Sequence, residues 1–286
     1  MSLDKIRGAR TDISKYLIHW TKEDTFWAII RSGFFIATAA PRLPEGETYA
    51  SPTIREKRAV CFSETPIGNY LQSIEANSRY AERQWGIAIP KKTIYFYGGR
   101  PVLYGDRDLL QRLDSEDKYL FCHFRYPTYP DWTHEREWRA CVNVSINNSI
   151  GICSNDEFPH LIFKDEYKRK LRFRHLETTQ ADMIIPFHLN NIDDKGFNSR
   201  KLGQTPEFVI IVREEINKQE LADFVSEISS PQKSWETLVA TVYDYYLGTY
   251  RTRYLAALQN AKIIAIESVK KHNNLWRLED LLDQNR

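Results

Sequence analysis

The segment Glu135-Arg136-Glu137-Trp138-Arg139 places two carboxylates and a guanidinium at every second position. Written as a β-strand over 135–144, it puts Glu135, Glu137, Arg139 and Cys141 on one face and Trp138, Ala140, Val142 and Val144 on the other. The apolar set demands burial, so the charged row is expected on the open face, with neighbouring side chains about 7 Å apart. Like charges that close raise at least one carboxylate pKa, and the nearby Arg139 lowers it again. Such a row is either the solvated outside of an edge strand or a working one, in which one carboxylate stabilises developing positive charge and the other accepts a proton. Three more polar residues stand at strand ends: His19 and Thr21 after the apolar ISKYLI, and Ser63 after AVCF. Each also has an ordinary structural role, as a hydrogen-bonded core imidazole, a helix cap and a turn hydroxyl.

The elements that must position these groups follow from the pattern. ISKYLI (13–18) reads as a strand, and KEDTFWAIIRSG after it as a short helix. Thr21 and Asp24 stand at capping-box spacing, Phe26, Ile29 and Ile30 lie on one side, and Gly33 serves as the C′ residue. Residues 40–58, with Pro41, Pro44, Gly46 and Pro52, read as a long loop. AVCFSETP is a strand closed by Pro66, and 67–82 a helix. Short strands are expected at 86–89, 93–96 and 101–104, punctuated by Pro90, Gly98, Gly99 and Pro101. A helix over 106–120 leads through the aromatic FRYPTYPDW to the Glu row. Beyond 154 the pattern predicts strands at 171–175, 182–187 and 207–213, helices at 215–229 and 234–258, a strand KIIAIES and a C-terminal helix. The apolar positions Trp235, Leu238, Val239, Val242, Tyr246 and Leu247 of the second helix read as core. Helices grouped rather than alternating with strands indicate an α+β fold. A seam near 155 divides it into 1–155 and 156–286, although one domain also fits.

Composition narrows the function classes. With 286 residues, 42% of them hydrophobic and 27% charged, the chain is no collagen, coiled coil or disordered tail. Forty basic against 38 acidic side chains leave no global field that would draw it to DNA or membranes. A local basic cluster, Lys164, Lys168, Arg169, Lys170, Arg172, Arg174 and His175, either tracks a nucleic-acid backbone or is a solvated surface. Cys61, Cys122, Cys141 and Cys153 form no C-x-x-C pair, which argues against a zinc ribbon and predicts reduced thiols. The charged start and the lack of any run of about 18 apolar residues predict a cytoplasmic protein with no membrane partner.

Taken together, the blocks ISKYLIHWT, AVCFSETP, WGIAIPK with GGRPVLY, and DWTHEREWR resemble the bacterial AbiGi-type abortive-phage-resistance proteins, which are similar to the ADP-ribosyltransferase superfamily. The matching blocks lie within residues 13–144. The resemblance implies a split β-sheet core with flanking helices that holds NAD in a cleft, followed by a C-terminal α/β extension. It implies that His19, with Thr21, holds the adenosine-side ribose, that Ser63 flanks the nicotinamide and Tyr80 stacks on it, and that Glu137 holds the nicotinamide ribose. Glu135 and Arg139 assist. The implied activity is transfer of ADP-ribose from NAD to a nucleic acid or protein, as a toxin-like component of phage defence with an antitoxin or toxin partner.

The chemistry of that set is independent of the family. Breaking the bond between nicotinamide and C1′ of the ribose generates oxocarbenium-like charge, so a carboxylate on the 2′-OH stabilises the transition state more than the ground state. A second carboxylate deprotonates the incoming nucleophile, and the roles of Glu137 and Glu135 are interchangeable at this level. On this reading Glu137→Gln abolishes activity with little change in the thermal midpoint. Two rivals remain: a non-catalytic antitoxin or immunity-type binding protein, and a metal-dependent nuclease built from His123, His134, Glu135, His175 or His188. The nuclease would need its ligands assembled wholly by the fold, since they have no local ligand spacing.

Overall fold

Residues 14–32, 34–36, 38–39, 58–76, 78–96, 99–114, 117–124, 133–140, 184–186, 192–193, 196–197, 208–229, 258–270, 277–278 and 281–282 are described by a computed structural model. Outside these residues lie most of the expected loop at 40–58, positions 141–144, the basic cluster of 164–175 with the strand at 171–175, and His188. The seam near 155 and nearly all of the helix expected at 234–258, with Trp235 to Leu247, lie outside them too.

Strand β1 (Tyr16–Thr21) carries alternating side chains that are almost all buried. The helix Glu23–Ser32 follows at once, with Glu23 and Asp24 in its first turn, where acidic groups complement the helix dipole. Its first turn closes on the Lys22 carbonyl, which accepts from Phe26 N at 2.9 Å, so Thr21 ends the strand instead of capping the helix. Strands β2 (Phe34–Ile36), β3 (Thr38–Ala39) and β4 (Arg58–Ser63) come next. The stretch expected as one helix over 67–82 forms two, Ile67–Ala76 and Ser78–Ala81.

After β5 (Trp85–Pro90), the strand expected at 93–96 is instead the helix Lys91–Phe96. Thr93 and Ile94 are buried while Lys92 and Tyr95 face out, a helical rather than an alternating pattern that four residues were too short to distinguish. Gly99 N donates to the Ile94 carbonyl at 2.8 Å. A Cβ on Gly99 would fall 2.4 Å from Ile94 Cγ2 and 2.7 Å from its carbonyl oxygen, so only glycine lets the chain turn there.

The expected strand at 101–104 is divided between β6 (Arg100–Pro101) and β7 (Leu103–Gly105). The helix expected over 106–120 stops early: Arg107–Arg112 is capped by Asp106, which accepts from Leu109 N, and ends at Leu113 in extended conformation. A 3-10 turn, Lys118–Leu120, then leads into β8 (Phe121–His123), a strand not expected between the helix over 106–120 and the aromatic stretch after it. A second 3-10 turn, Thr133–Glu135, precedes β9 (Glu137–Ala140). The later elements are β10 (Ile184–Pro186), β11 (Ile192–Asp193), β12 (Gly196–Phe197), β13 (Val209–Val212), the helix Glu215–Ser229, β14 (Lys262–Ala265) and the helix Ile266–Lys270. KIIAIES is therefore half strand and half helix.

The architecture is mixed α+β around a mostly antiparallel eight-stranded sheet of order β14-β13-β5-β1-β4-β9-β6, with β3 attached to β4. Among its described strands only β13 and β14 pair in parallel. Both faces are covered. One face carries Leu17, Val60, Phe62, Ile87, Ile89, Ile210 and Val212, packed against Phe26, Ile29 and Ile30 of the first helix and Leu221 of the Glu215–Ser229 helix. The other carries Ile18, Trp20, Ala88, Val209, Ile211 and Ile264, packed against Ile67, Tyr70, Leu71 and Ile74 of the Ile67–Ala76 helix, with Tyr80 and Val269 alongside. Among the described residues no helix is long and apolar enough to cross a membrane.

Candidate functional site

Strand register decides which of the polar residues meet. Ser63 pairs with both Ile18 of β1 and Glu137 of β9, and Cys61 pairs with Arg139. Ser63, Glu137 and Arg139 therefore share the second face, the one that holds Ile18 and Trp20. His19 alternates with Ile18 and pairs with Ile87, so it lies on the first face, with its ring 5.0 Å from Phe35 and 5.9 Å from Phe62. The sheet itself separates the imidazole from the carboxylates, and the cleft that would hold both between His19 and Glu137 is not formed. Thr21, two residues on, falls on the same side as His19 and is buried opposite Trp85.

His19 is held as a neutral core residue. Its Nδ1 lies 2.8 Å from the Cys61 carbonyl, which can only accept, so the proton sits on Nδ1. Burial pushes the imidazole down to about 4, against the Cys61 hydrogen bond, which raises it, and with the Arg83 charge adding to the fall.

Glu137 and Arg139 make a buried ion pair. Arg139 Nε donates to one Glu137 carboxylate oxygen at 2.9 Å and a terminal nitrogen donates to the other at 3.2 Å. Its remaining amino group donates to the carbonyls of Tyr119 at 2.9 Å and Phe121 at 2.6 Å. Arg139 is fully buried and Glu137 nearly so, which corrects the expectation of an open charged face. Burial disfavours the guanidinium charge, yet Glu137 more than offsets this and holds Arg139 firmly protonated. Tyr104 closes the pair from the side, its hydroxyl accepting from Glu137 N at 3.3 Å. Burial pushes the Tyr104 hydroxyl up; the hydrogen bond from Glu137 opposes this, and the charges of Glu137, Cys122 and Glu135 add to it.

Glu135 does not continue the strand. Arg136 has φ of 45°, the left-handed region, and Arg136 N donates back to Thr133 O at 3.1 Å. The kink turns Glu135 into the 3-10 turn, where its half-buried carboxylate accepts from Tyr80 Oη at 2.6 Å. The same hydroxyl lies 3.2 Å from His134 Nε2. Two hydroxyls fasten the turn's backbone: Ser63 Oγ donates to Glu135 O at 2.9 Å, and Thr65 Oγ1 is shared between His134 O at 2.9 Å and Glu135 O at 3.0 Å. Behind Tyr80 stands Tyr70, stacked flat on Trp20 at 4.0 Å and edge-on to Tyr80 at 5.8 Å.

Glu64, which the sequence reading did not single out, anchors the kink from the other side. Its backbone N donates to Arg136 O at 3.1 Å, and its buried carboxylate takes Lys91 Nζ and, at 2.8 Å, Trp138 Nε1. Arg136 reaches it at 3.7 Å. Tyr104, Thr65 and Tyr70 were equally missed. The one available signal was the row of polar residues Ser63-Glu64-Thr65 directly after an apolar strand.

The structure thus brings together Ser63, Tyr80, Glu135, Glu137 and Arg139 and leaves His19 and Thr21 apart. The nuclease set fares differently: His134 and Glu135 adjoin, but among the described residues no three His, Cys, Asp or Glu side chains gather as metal ligands. A cavity of about 580 Å³ lies elsewhere, lined by Leu221, Val225, Leu258 and Ile263, and contains none of these residues. Comparison of the chain with protein-family models, with curated proteins and with solved structures finds no match.

Proposed function

We propose that this chain binds NAD, releases nicotinamide and transfers ADP-ribose to a nucleic acid or protein acceptor, as a toxin-like component of phage defence. The observation that carries the reading is the convergence of Ser63, Tyr80 and Glu135 at the strand end where Ser63 pairs with Glu137. A hydroxyl and a carboxylate suit the nicotinamide-ribose end of NAD, while the Tyr80 ring stays in the core and orients Glu135 through its hydroxyl. Glu135, half-buried in the turn before that strand end, takes the role of stabilising the oxocarbenium-like charge. Glu137, with both oxygens on Arg139, braces the strand beneath it. The adenosine end of NAD is then held by groups other than His19. Defence against phage rests on the resemblance of the sequence blocks, not on any distance.

The test is nicotinamide release and transfer of labelled ADP-ribose to cell extract. Glu135→Gln should lower turnover by roughly 10²-fold or more, as loss of a transition-state contact does. Glu137→Gln should also lower the thermal midpoint, since it leaves a buried guanidinium unpaired. Full activity in Glu135→Gln would remove Glu135 from the mechanism. A wild-type chain that never consumes NAD would end the enzyme reading and leave the binding-protein alternative, which the Glu137–Arg139 pair favours because a carboxylate so engaged serves structure. EDTA-sensitive cutting of nucleic acid without NAD would point to the nuclease.

A further inference from the structure

His134 enters the site through Tyr80, and no part of the charge-stabilising step uses it. One hydroxyl lies between the two groups: Tyr80 Oη donates to Glu135 at 2.6 Å and stands 3.2 Å from His134 Nε2. Tyr80 is buried to 5% exposure, Glu135 is half-buried and His134 is exposed, so the buried hydroxyl links the carboxylate to a ring that reaches water. The backbone of the His134–Glu135 turn is held by Ser63 and Thr65, which fixes the spacing of the two ends.

We propose that Tyr80 and His134 form a relay that carries to solvent the proton given up by the acceptor. This rests on the ADP-ribosyl transfer reading and adds the route its proton takes. As the acceptor heteroatom bonds to C1′, the C1′–nitrogen bond breaks and its electron pair leaves with neutral nicotinamide. The acceptor's proton passes to the Glu135 carboxylate. Protonated Glu135 then donates to the Tyr80 oxygen, and the Tyr80 hydroxyl hydrogen turns to His134 Nε2. The imidazolium so formed gives up one proton to its exposed side, and exchange with water returns the ring to the tautomer with a bare Nε2, so Glu135, Tyr80 and His134 all regain their starting states. His134 acts through Tyr80 and is a positioning residue with a proton-carrying role; Glu135 alone touches the reacting atoms.

The test uses the full chain with NAD and cell extract. His134→Ala should lower the turnover of ADP-ribose transfer by roughly 10²-fold, the lower end of what a positioned acid–base group supplies, with KM for NAD unchanged. Added imidazole should restore most of that loss, because the site of His134 opens to solvent. Tyr80→Phe keeps the ring but removes the middle of the relay, so it should lose turnover that imidazole does not restore. Thermal melts of both variants identify any loss due to unfolding. Should His134→Ala turn over like the wild type, should imidazole fail to rescue the folded variant, or should it rescue Tyr80→Phe equally well, the relay is wrong while ADP-ribosyl transfer stands. A wild-type chain without nicotinamide release overturns both.

Discussion

His19 shows how one side chain's environment overrides its sequence context. A histidine at a strand end beside a helix suggests a ligand-binding group, but alternation sends it into an aromatic pocket formed by Phe35 and Phe62. There the neutral ring is favoured, with its pKa near 4. In the unfolded chain the imidazole titrates near its ordinary 6.5, so between 6.5 and 4 the unfolded state binds more protons. Stability is therefore full above pH 6.5 and falls as pH drops towards 4, by up to about 3 kcal/mol. Denaturant midpoints measured across this range should show that slope, and His19→Phe should flatten it. An unchanged slope in the variant would mean that another group is responsible.

At the scale of the element, β9 is defined by where it begins. Sequence alternation over 135–144 identified the shared face of Glu137 and Arg139, and the pairing with Ser63 and Cys61 places them so. It could not reveal that Arg136 breaks the strand with a positive φ, because nothing in Glu-Arg-Glu announces a left-handed residue. The kink is bound by long-range contacts: Glu64 N on the Arg136 carbonyl, and Ser63 and Thr65 on the turn before it. Left-handed backbone costs a non-glycine residue roughly 1–2 kcal/mol. Arg136→Gly removes that strain and loses the partly exposed contact to Glu64, so its urea midpoint should stay within about 1 kcal/mol of wild type. Arg136→Val, whose branched side chain tolerates φ of 45° poorly, should cost about 2 kcal/mol. If the two variants were equally destabilised, backbone conformation would not be what the position demands.

For the whole molecule, strands from both sides of residue 155 belong to one sheet. β13 lies between β5 and β14, giving Ile210 and Val212 to one core and Val209 and Ile211 to the other. Its four residues are all buried, and without it β5 would present Ile87 and Ala88 on an unpaired edge. A chain ending at residue 155 should accordingly fail to fold cooperatively, seen as a broad, non-sigmoidal melt and a weak near-UV signal. A sharp transition from that fragment would show that the strands before residue 155 suffice.

Local pattern determined the α+β class, the apolar strands β1, β4, β5 and β13, the Glu215–Ser229 helix and the alternation within β9, because periodicity of two or 3.6 is written into neighbouring residues. Short segments escaped it: 93–96 became helical, and β8, three residues just before the aromatic stretch, is too short to show a period. The composition of the site depends on what lies across a ladder, as where Ser63 meets Ile18 on one side and Glu137 on the other. Register alone brought Ser63 to Glu137 and sent His19 to the opposite side of the sheet, and a one-residue slip would have exchanged those outcomes. The Tyr80–Glu135 contact spans 55 residues and joins the 3-10 turn before the Arg136 kink to the Ser78–Ala81 helix. No spacing in the chain encodes such a meeting; packing decides it.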